Sequence, residues 1–268
     1  MKLARRAGIC ALVALLLAVC VPELFVKGSY ADQNREAIGA RPSAQFPLGT
    51  DDLGRDRFVR LWYAARTSIL LATAAALLAT LIAAVIGCAA GWMGGWTERA
   101  IVAGIDLFLA LPWLFALLAV RALLPLDVAP ATSVAITFLL LGLLGWAAPA
   151  RVVRARVRES ARSDFALQAR AAGSTQVRLL FRHLIPNMRP VLAAQFLVSI
   201  PLFVLTEANL GALGLGVTEP LPSLGSMLRE MQGYGGITGR PWVIAPAVLL
   251  AIAVTILQIG VSRRGAAV

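Results

Sequence analysis

The stretch SILLATAAALLATLIAAVIGCAAGW, residues 68 to 92, runs without a single charged side chain. An α-helix needs about 20 apolar residues to cross the roughly 30 Å hydrocarbon core of a bilayer, so this segment is long enough to span a membrane. Alanine, leucine and valine dominate it, with glycines that membrane helices tolerate. Working outward, five more stretches pass the same count: Ala7 to Val26, Ile101 to Leu124, Ser133 to Ala150, Val191 to Leu213 and Trp242 to Val261. The first follows Lys2, Arg5 and Arg6. It reads as an anchor rather than a cleaved leader, because no small-x-small site follows and Pro22-Glu23 interrupts its end. The expected fold is therefore an all-α integral membrane protein with six transmembrane helices. Its divisions are a start and first span at 1–26, an extracytoplasmic segment at 27–67, and a five-helix core at 68–268 that includes a cytoplasmic loop at 151–190.

Composition supports the bilayer. Hydrophobic residues make up 59% of the 268, charged residues 15%, and mean hydropathy is +0.78. A soluble domain has roughly half apolar and a quarter charged residues. The net charge of +11 does not indicate nucleic acid, since its arginines lie between apolar runs rather than along a polar domain. Positive residues collect on the cytoplasmic side of membrane proteins. The 151–190 loop holds nine arginines against Glu159 and Asp164, 9 − 2 = +7, while residues 27–66 carry seven basic and five acidic groups, 7 − 5 = +2. Both termini are therefore expected in the cytoplasm.

Catalytic and metal chemistry find little support. Cys10, Cys20 and Cys88 all fall inside expected spans as small apolar filler. His183 is the sole histidine, without a second ligand nearby, and no phosphate-binding G-x-x-x-x-G-K-[ST] loop occurs. No nucleotide cofactor is expected in this chain. Two acids lie at membrane depth, Asp106 and Glu207, and a charge there costs about 3 kcal/mol, so both must face protein or water. They are candidates for a translocation path, with a structural role as the competing reading.

The 151–190 loop reads as a pair of short helices. Ser163 or Asp164 can cap the first, which runs through Phe165-Ala-Leu-Gln-Ala-Arg-Ala-Ala. Gly173 permits the left-handed backbone that ends it. Ser174 suits the start of a second helix, Thr175 to His183, which Pro186 is expected to stop. Val177, Leu180, Phe181 and Leu184 follow i, i+3, i+4, i+7 spacing between Arg178 and Arg182. Such a pair can rest on anionic headgroups or insert into a groove on a protein partner.

Four ordered blocks carry a resemblance. Arg170-Ala-Ala-Gly173, with His183-Leu-Ile-Pro186-Asn187 after it, is similar to the coupling-loop motif of ABC importer permeases: E-A-A, three residues, G, nine residues, then an apolar-Pro ending. Phe46-Pro-Leu-Gly-Thr-Asp-Asp-Leu-Gly-Arg-Asp56 and Tyr63-Ala-Ala-Arg-Thr-Ser-Ile69 resemble the segment after the first span in C-type permeases of dipeptide, oligopeptide and nickel importers. Gly91-Trp-Met-Gly-Gly-Trp96, Asp106 to Pro112, Glu207 to Gly216 and Pro222 to Leu228 match later parts of that family in order. One departure stands out: Leu167 occupies the place of the motif's Glu and Gln168 that of its first Ala, leaving Ala169 alone in register.

The resemblance implies a permease subunit in the bacterial inner membrane, working with a homologous second permease, an extracytoplasmic binding protein, and two ATPase subunits or one fused ATPase that hold ATP and Mg. It implies ATPase coupling through Ala169, Arg170, Gly173, Arg178, His183 and Pro186. Tyr234 and Arg229, in the outer loop region at 218–241, become candidates for contact with the binding protein. The competing function is an ATP-independent channel or lipid-handling protein. Against it, no repeated polar filter segment and no catalytic acid pair or Ser/Lys set occurs in the spans.

Overall fold

The computed structural model describes residues 26–125, 128–233 and 240–265, except for the side chains at 176, 177, 181, 183 and 260–265. The expected span at Ala7 to Val26 lies almost entirely outside these residues. Among the described residues four helices are long and apolar enough to cross a membrane, and five if a bent pair counts as one span.

The central helix α1, Arg57–Met93, begins earlier than the apolar stretch suggests. Its 37 residues extend about 55 Å at 1.5 Å per residue, well beyond the hydrocarbon core. Asp56 starts it by accepting from the Phe58 and Val59 amides at 2.8 and 3.4 Å. Gly94, with φ +67°, ends it. Ala72, Ala75, Ala76, Ala79 and Ala83 are fully buried along it, so neighbouring backbones can approach closely. The closest approach is at Gly87 and Gly91, four residues apart on one face. A Cβ on Gly87 would lie 2.7 Å from the Ala150 carbonyl, and one on Gly91 2.8 Å from that of Arg154.

The segment read as one span at Ile101 to Leu124 is two helices, α2 (Gly95–Ala110) and α3 (Trp113–Leu123), bent by 79°. Pro112 causes the break, since it has no amide to donate and disfavours helix at Leu111. The next span is also interrupted. Helix α4 (Pro130–Leu144) gives way at Gly145 to α5 (Ala147–Ala161), which carries the arginine run as a continuous helix. Next comes the short helix α6 (Asp164–Ala171), then the one-turn α7 (Gln176–Leu179) and a π-turn at Leu180–Leu184. Helix α8 (Ile185–Ala212) returns across the membrane. Helix α9 (Leu224–Gly233) lies at the outer end, and α10 (Ala245–Gly265), led in by a 3-10 turn at Pro241–Ile244, closes the order. One core, built on Ile69, Leu117, Leu141, Phe203, Val204, Leu210 and Leu257, joins α1, α3, α4, α8 and α10.

Candidate coupling and translocation site

The helix pair expected in the 151–190 loop forms largely as its sequence implies. Ser163 precedes α6, although its hydroxyl donates to the Ser160 carbonyl at 2.6 Å instead of accepting from the helix. Gly173 adopts φ +81°. The Gly173 amide donates to Arg170 O at 3.0 Å and the Ser174 amide to Ala169 O at 3.0 Å, the two-bond closure of a glycine-terminated helix. Thr175, rather than Ser174, caps α7, its hydroxyl accepting from the Arg178 amide at 3.3 Å. Ala166, Leu179 and Leu184 are fully buried in a small core with Trp92, Ala161, Ala169 and Leu180 around it. The inward position before the π-turn is thus Leu179. Arg170 and Arg178 are exposed, Pro186 is half-buried, and the His183 side chain lies outside the described residues.

The expected stop at Pro186 does not occur. Leu184 and Ile185 are both right-handed helical, and the Ile185 amide donates to Leu180 O, five residues back. A proline ring in a regular helix collides with the carbonyl four residues earlier and leaves one acceptor unpaired. The π-turn widens the helix by one residue just before Pro186, which relieves that conflict. The chain from Gln176 to Ala212 is thereby helical without interruption, even through Pro190 and Pro201.

At the same end as the helix pair, ion pairs tie α2 to α5. Glu98, almost buried, accepts from Arg154 Nη2 at 2.5 Å and Nε at 3.0 Å and also from Arg158. Asp106 pairs with Arg151, both about half-exposed. Asp106 thus has a partner within this chain, as its depth requires.

At the level of the two helix breaks lies a cavity of about 240 Å³. Its wall combines the α2–α3 bend at Leu111 and Pro112, the α4–α5 break at Gly145, and Ser199, Leu202 and Phe203 of α8. The Phe203 ring sits directly on Gly145, where a Cβ would come within 2.3 Å of its Cζ, and lies 6.1 Å from the Trp113 ring. Val198, Leu202 and Leu205 form an exposed apolar face of α8 beside it.

Glu207 faces elsewhere. It is fully buried between α1, α8 and the loop leading to α9, with the Ser68 and Ser223 hydroxyls as its polar neighbours. The buried face of α8 that holds Glu207 is opposite the exposed one, so this side chain belongs to the packing of α9 within the subunit. Gly211, Gly216 and Gly225 allow that packing, since a Cβ on Gly211 would lie 2.5 Å from Gly225 Cα.

The end of α1 opposite the helix pair holds a cluster that motif reading missed. Arg60 is fully buried, and its Nη2 donates to Glu219 Oε1 at 2.9 Å and Glu230 Oε1 at 2.7 Å. Arg55 pairs with Asp51 at 2.6 Å and Glu219 at 2.5 Å, and Arg57 lies 3.9 Å from Glu230. This network staples the segment before α1 to the loop and helix α9. Burial would lift the Glu219 carboxyl, but hydrogen bonds and charge from Arg60, then Arg55, outweigh it and hold it below the ordinary range. Burial lifts Glu230 above its ordinary value despite Arg60 and Arg57. Arg229 is exposed, its guanidinium against Gly214, and lines an outer cavity of about 560 Å³ with Thr218, Glu219, Ser226 and Glu230. Tyr234 lies outside the described residues.

Comparison with known proteins agrees with this architecture. Residues 83–263 match the family described as "Binding-protein-dependent transport system inner membrane component". The chain is 33% identical over 241 residues to the oligopeptide transport system permease protein OppC of Bacillus subtilis (strain 168), covering 90% of this chain and 76% of that one. It is 30% identical over 230 residues to the dipeptide transport system permease protein DppC of Alkalihalophilus pseudofirmus, covering 86% and 73%. In fold it is similar to a chain of the MetNI methionine ABC transporter in inward facing conformations, with TM-score 0.55 and 21% identity, covering 76% of this chain and 94% of that one. A multi-pass helical core, a helix pair closed at Gly173 and these relatives lead to one conclusion: the chain belongs to the inner-membrane permease family of binding-protein-dependent ABC importers.

Proposed function

We propose that this permease subunit imports di- or oligopeptides across the bacterial inner membrane, with both termini in the cytoplasm. A homologous second permease completes the path, an extracytoplasmic binding protein delivers cargo, and two ATPase subunits or one fused ATPase bind ATP and Mg. The relatives named for oligopeptide and dipeptide transport support the cargo class.

The observation that carries the mechanism is continuity. Helices α5 and α8 both line the mid-depth cavity, and the same cytoplasmic pair joins their inner ends. A displacement of that pair by ATPase closure reaches the cavity through unbroken helix on both sides. At the cavity, the bend at Pro112 and the short helix break at Gly145 are the points where rotation is absorbed. The exposed face of α8 at Val198, Leu202 and Leu205 then lines the path, while Asp106 and Glu207 hold helices together. Ala169, Arg170, Gly173, Arg178, His183 and Pro186 belong to the coupling element, and Arg229 and Tyr234 to the surface that meets the binding protein.

The test is co-expression with the neighbouring permease, ATPase and binding-protein genes. The expected result is copurification of all subunits and ATP-dependent peptide uptake in proteoliposomes. Gly173→Val, which forces a β-branched residue into a left-handed backbone, is expected to abolish ATPase capture. A chain that purifies alone, or uptake that ignores ATP, overturns the reading.

A further inference from the structure

The mid-depth cavity is lined by aromatic, aliphatic and small side chains, and among the described residues no ionisable group belongs to its wall. A charged pair stands at one end of it. On α5, Ala147 and Ala148 line the cavity, and Arg151 follows one turn later on the same face. On α2, Leu109 lines it, and Asp106 precedes that residue by one turn. Both steps lead away from the helix breaks and toward the helix pair. The walls of the cavity therefore run directly onto Asp106 and Arg151.

This ion pair keeps capacity for a further ligand. The Arg151 side chain is 55% exposed and that of Asp106 51%. Arg151 Nη2 donates to Asp106 Oδ1. A guanidinium has five N–H donors in a planar fork, and among the described residues no other acceptor takes one from Arg151. Hydrocarbon is a poor cover for two charges, which at membrane depth face water or protein. Charge is also out of balance between the two helices. Arg151, Arg154 and Arg158 of α5 stand against Asp106 and Glu98 of α2, 3 − 2 = +1. The surplus favours an anion at this end of the cavity.

We infer that Arg151 is a cargo-binding residue, whose remaining N–H donors take the C-terminal carboxylate of a peptide held in the cavity. This rests on the proposal that the chain imports peptides, and it names the cargo group that the path recognises. A carboxylate brought into an uncharged cavity loses hydration. The fork of an arginine returns charge-assisted hydrogen bonds in a geometry that matches the two carboxylate oxygens. Asp106 occupies one nitrogen, holds the guanidinium at the end of the cavity and leaves the other donors for cargo.

The experiment measures binding of alanyl-4-fluorophenylalanine and of its C-terminal amide by fluorine NMR. The receptor is the whole complex in phosphatidylcholine nanodiscs without the binding protein, so that selection by that protein does not enter. The parent complex is expected to bind the free acid about tenfold more tightly than the amide, the scale of one charge-assisted hydrogen bond. Arg151→Gln combined with Asp106→Asn removes both charges without stranding either, and is expected to bind the two forms alike. Thermal unfolding of the double variant near the parent value confirms that its fold is retained. Three results each overturn the inference: a parent complex that binds acid and amide alike, as when a carboxylate of the companion permease already covers Arg151; a parent that binds neither; or a preference for the acid that survives the double substitution. ATP-driven uptake of the same peptide in proteoliposomes, with the binding protein added, separates this inference from the reading beneath it. Uptake by a parent whose preference ignores Arg151 overturns the carboxylate site alone, whereas absence of ATP-dependent uptake overturns the importer reading.

Discussion

Replacing Arg60 by methionine tests the outer ion cluster most directly. Three acids lie near this guanidinium, but they do not lose equally. Asp51 keeps Arg55 at 2.6 Å, and Glu219 keeps Arg55 at 2.5 Å while remaining half-exposed. Glu230, whose side chain is only 21% exposed, loses its 2.7 Å partner and retains Arg57 only at 3.9 Å. Leaving one buried charge uncompensated costs about 3–5 kcal/mol, and the surviving Arg57 contact places Arg60→Met near the lower end, about 3 kcal/mol. For a chain of this size that corresponds to a fall of roughly 6–12 °C in Tm, read by thermal unfolding in nanodiscs at pH 7. The pH dependence has a definite sign. Glu230 already has its carboxyl raised by burial, so its share of stability is present below its unfolded value and is lost as pH rises through the folded one. Removing Arg60 widens that window upward. The deficit of the variant therefore shrinks as pH falls from 7 toward the ordinary carboxylate range, and Glu230→Gln added to Arg60→Met recovers about half of the ~3 kcal/mol. A loss below about 1 kcal/mol at pH 7, the level of an exposed pair, would refute the reasoning, as would a double variant no more stable than the single.

Other outcomes follow from local geometry. Gly91→Leu drives a side chain against the Arg154 carbonyl and Val157, so it is expected to cost about 1–3 kcal/mol in Tm measurements. Gly104→Ala, with nothing within 4 Å of its Cβ, is expected to be neutral or to stabilise by about 0.5–1 kcal/mol. Gly145→Ala sets a Cβ against the buried Phe203 ring and within 2.8 Å of the Leu141 carbonyl, so it is expected to cost about 1–3 kcal/mol in Tm measurements, of which Phe203→Leu should recover only part. Glu98→Gln loosens the α2–α5 tie, with an expected loss of about 1 kcal/mol because Arg158 is partly exposed. In the wild type, the stabilising share of Glu219 is present at neutral pH and lost as pH falls below the ordinary carboxylate range. Glu219→Gln should therefore flatten the acid limb of a Tm–pH curve.

The apolar runs were readable because a bilayer demands length, and length is a one-dimensional property. The Gly173 closure was readable because a left-handed residue leaves a local signature. The stop expected at Pro186 failed because a single π-turn, invisible in composition, removes the clash that makes proline a breaker. The span read from Ile101 to Leu124 contained its own warning in Leu111-Pro112, where a proline forbids a continuous helix. The cluster around Arg60 could not be read at all: Arg60 and Glu230 are 170 residues apart, and nothing local ties them. Glu207 was visible as an acid in a span, but its direction was not, because α8 is apolar on every side and its periodicity marks no buried face.

The π-turn at Leu180–Leu184 also controls angular phase along the long helix. Deleting one residue elsewhere between Ile185 and Phe203 turns everything on one side of the cut by about 100° relative to the other, so Phe203 would leave Gly145 and Glu207 would leave Ser68. Within the π-turn, the same deletion returns the helix to ordinary winding and keeps both residues on their faces. Pro186 would then meet the carbonyl of Arg182, at a cost of about 3 kcal/mol. The extra residue thus lets proline sit in this helix while the azimuth of residues about five to six turns away is preserved.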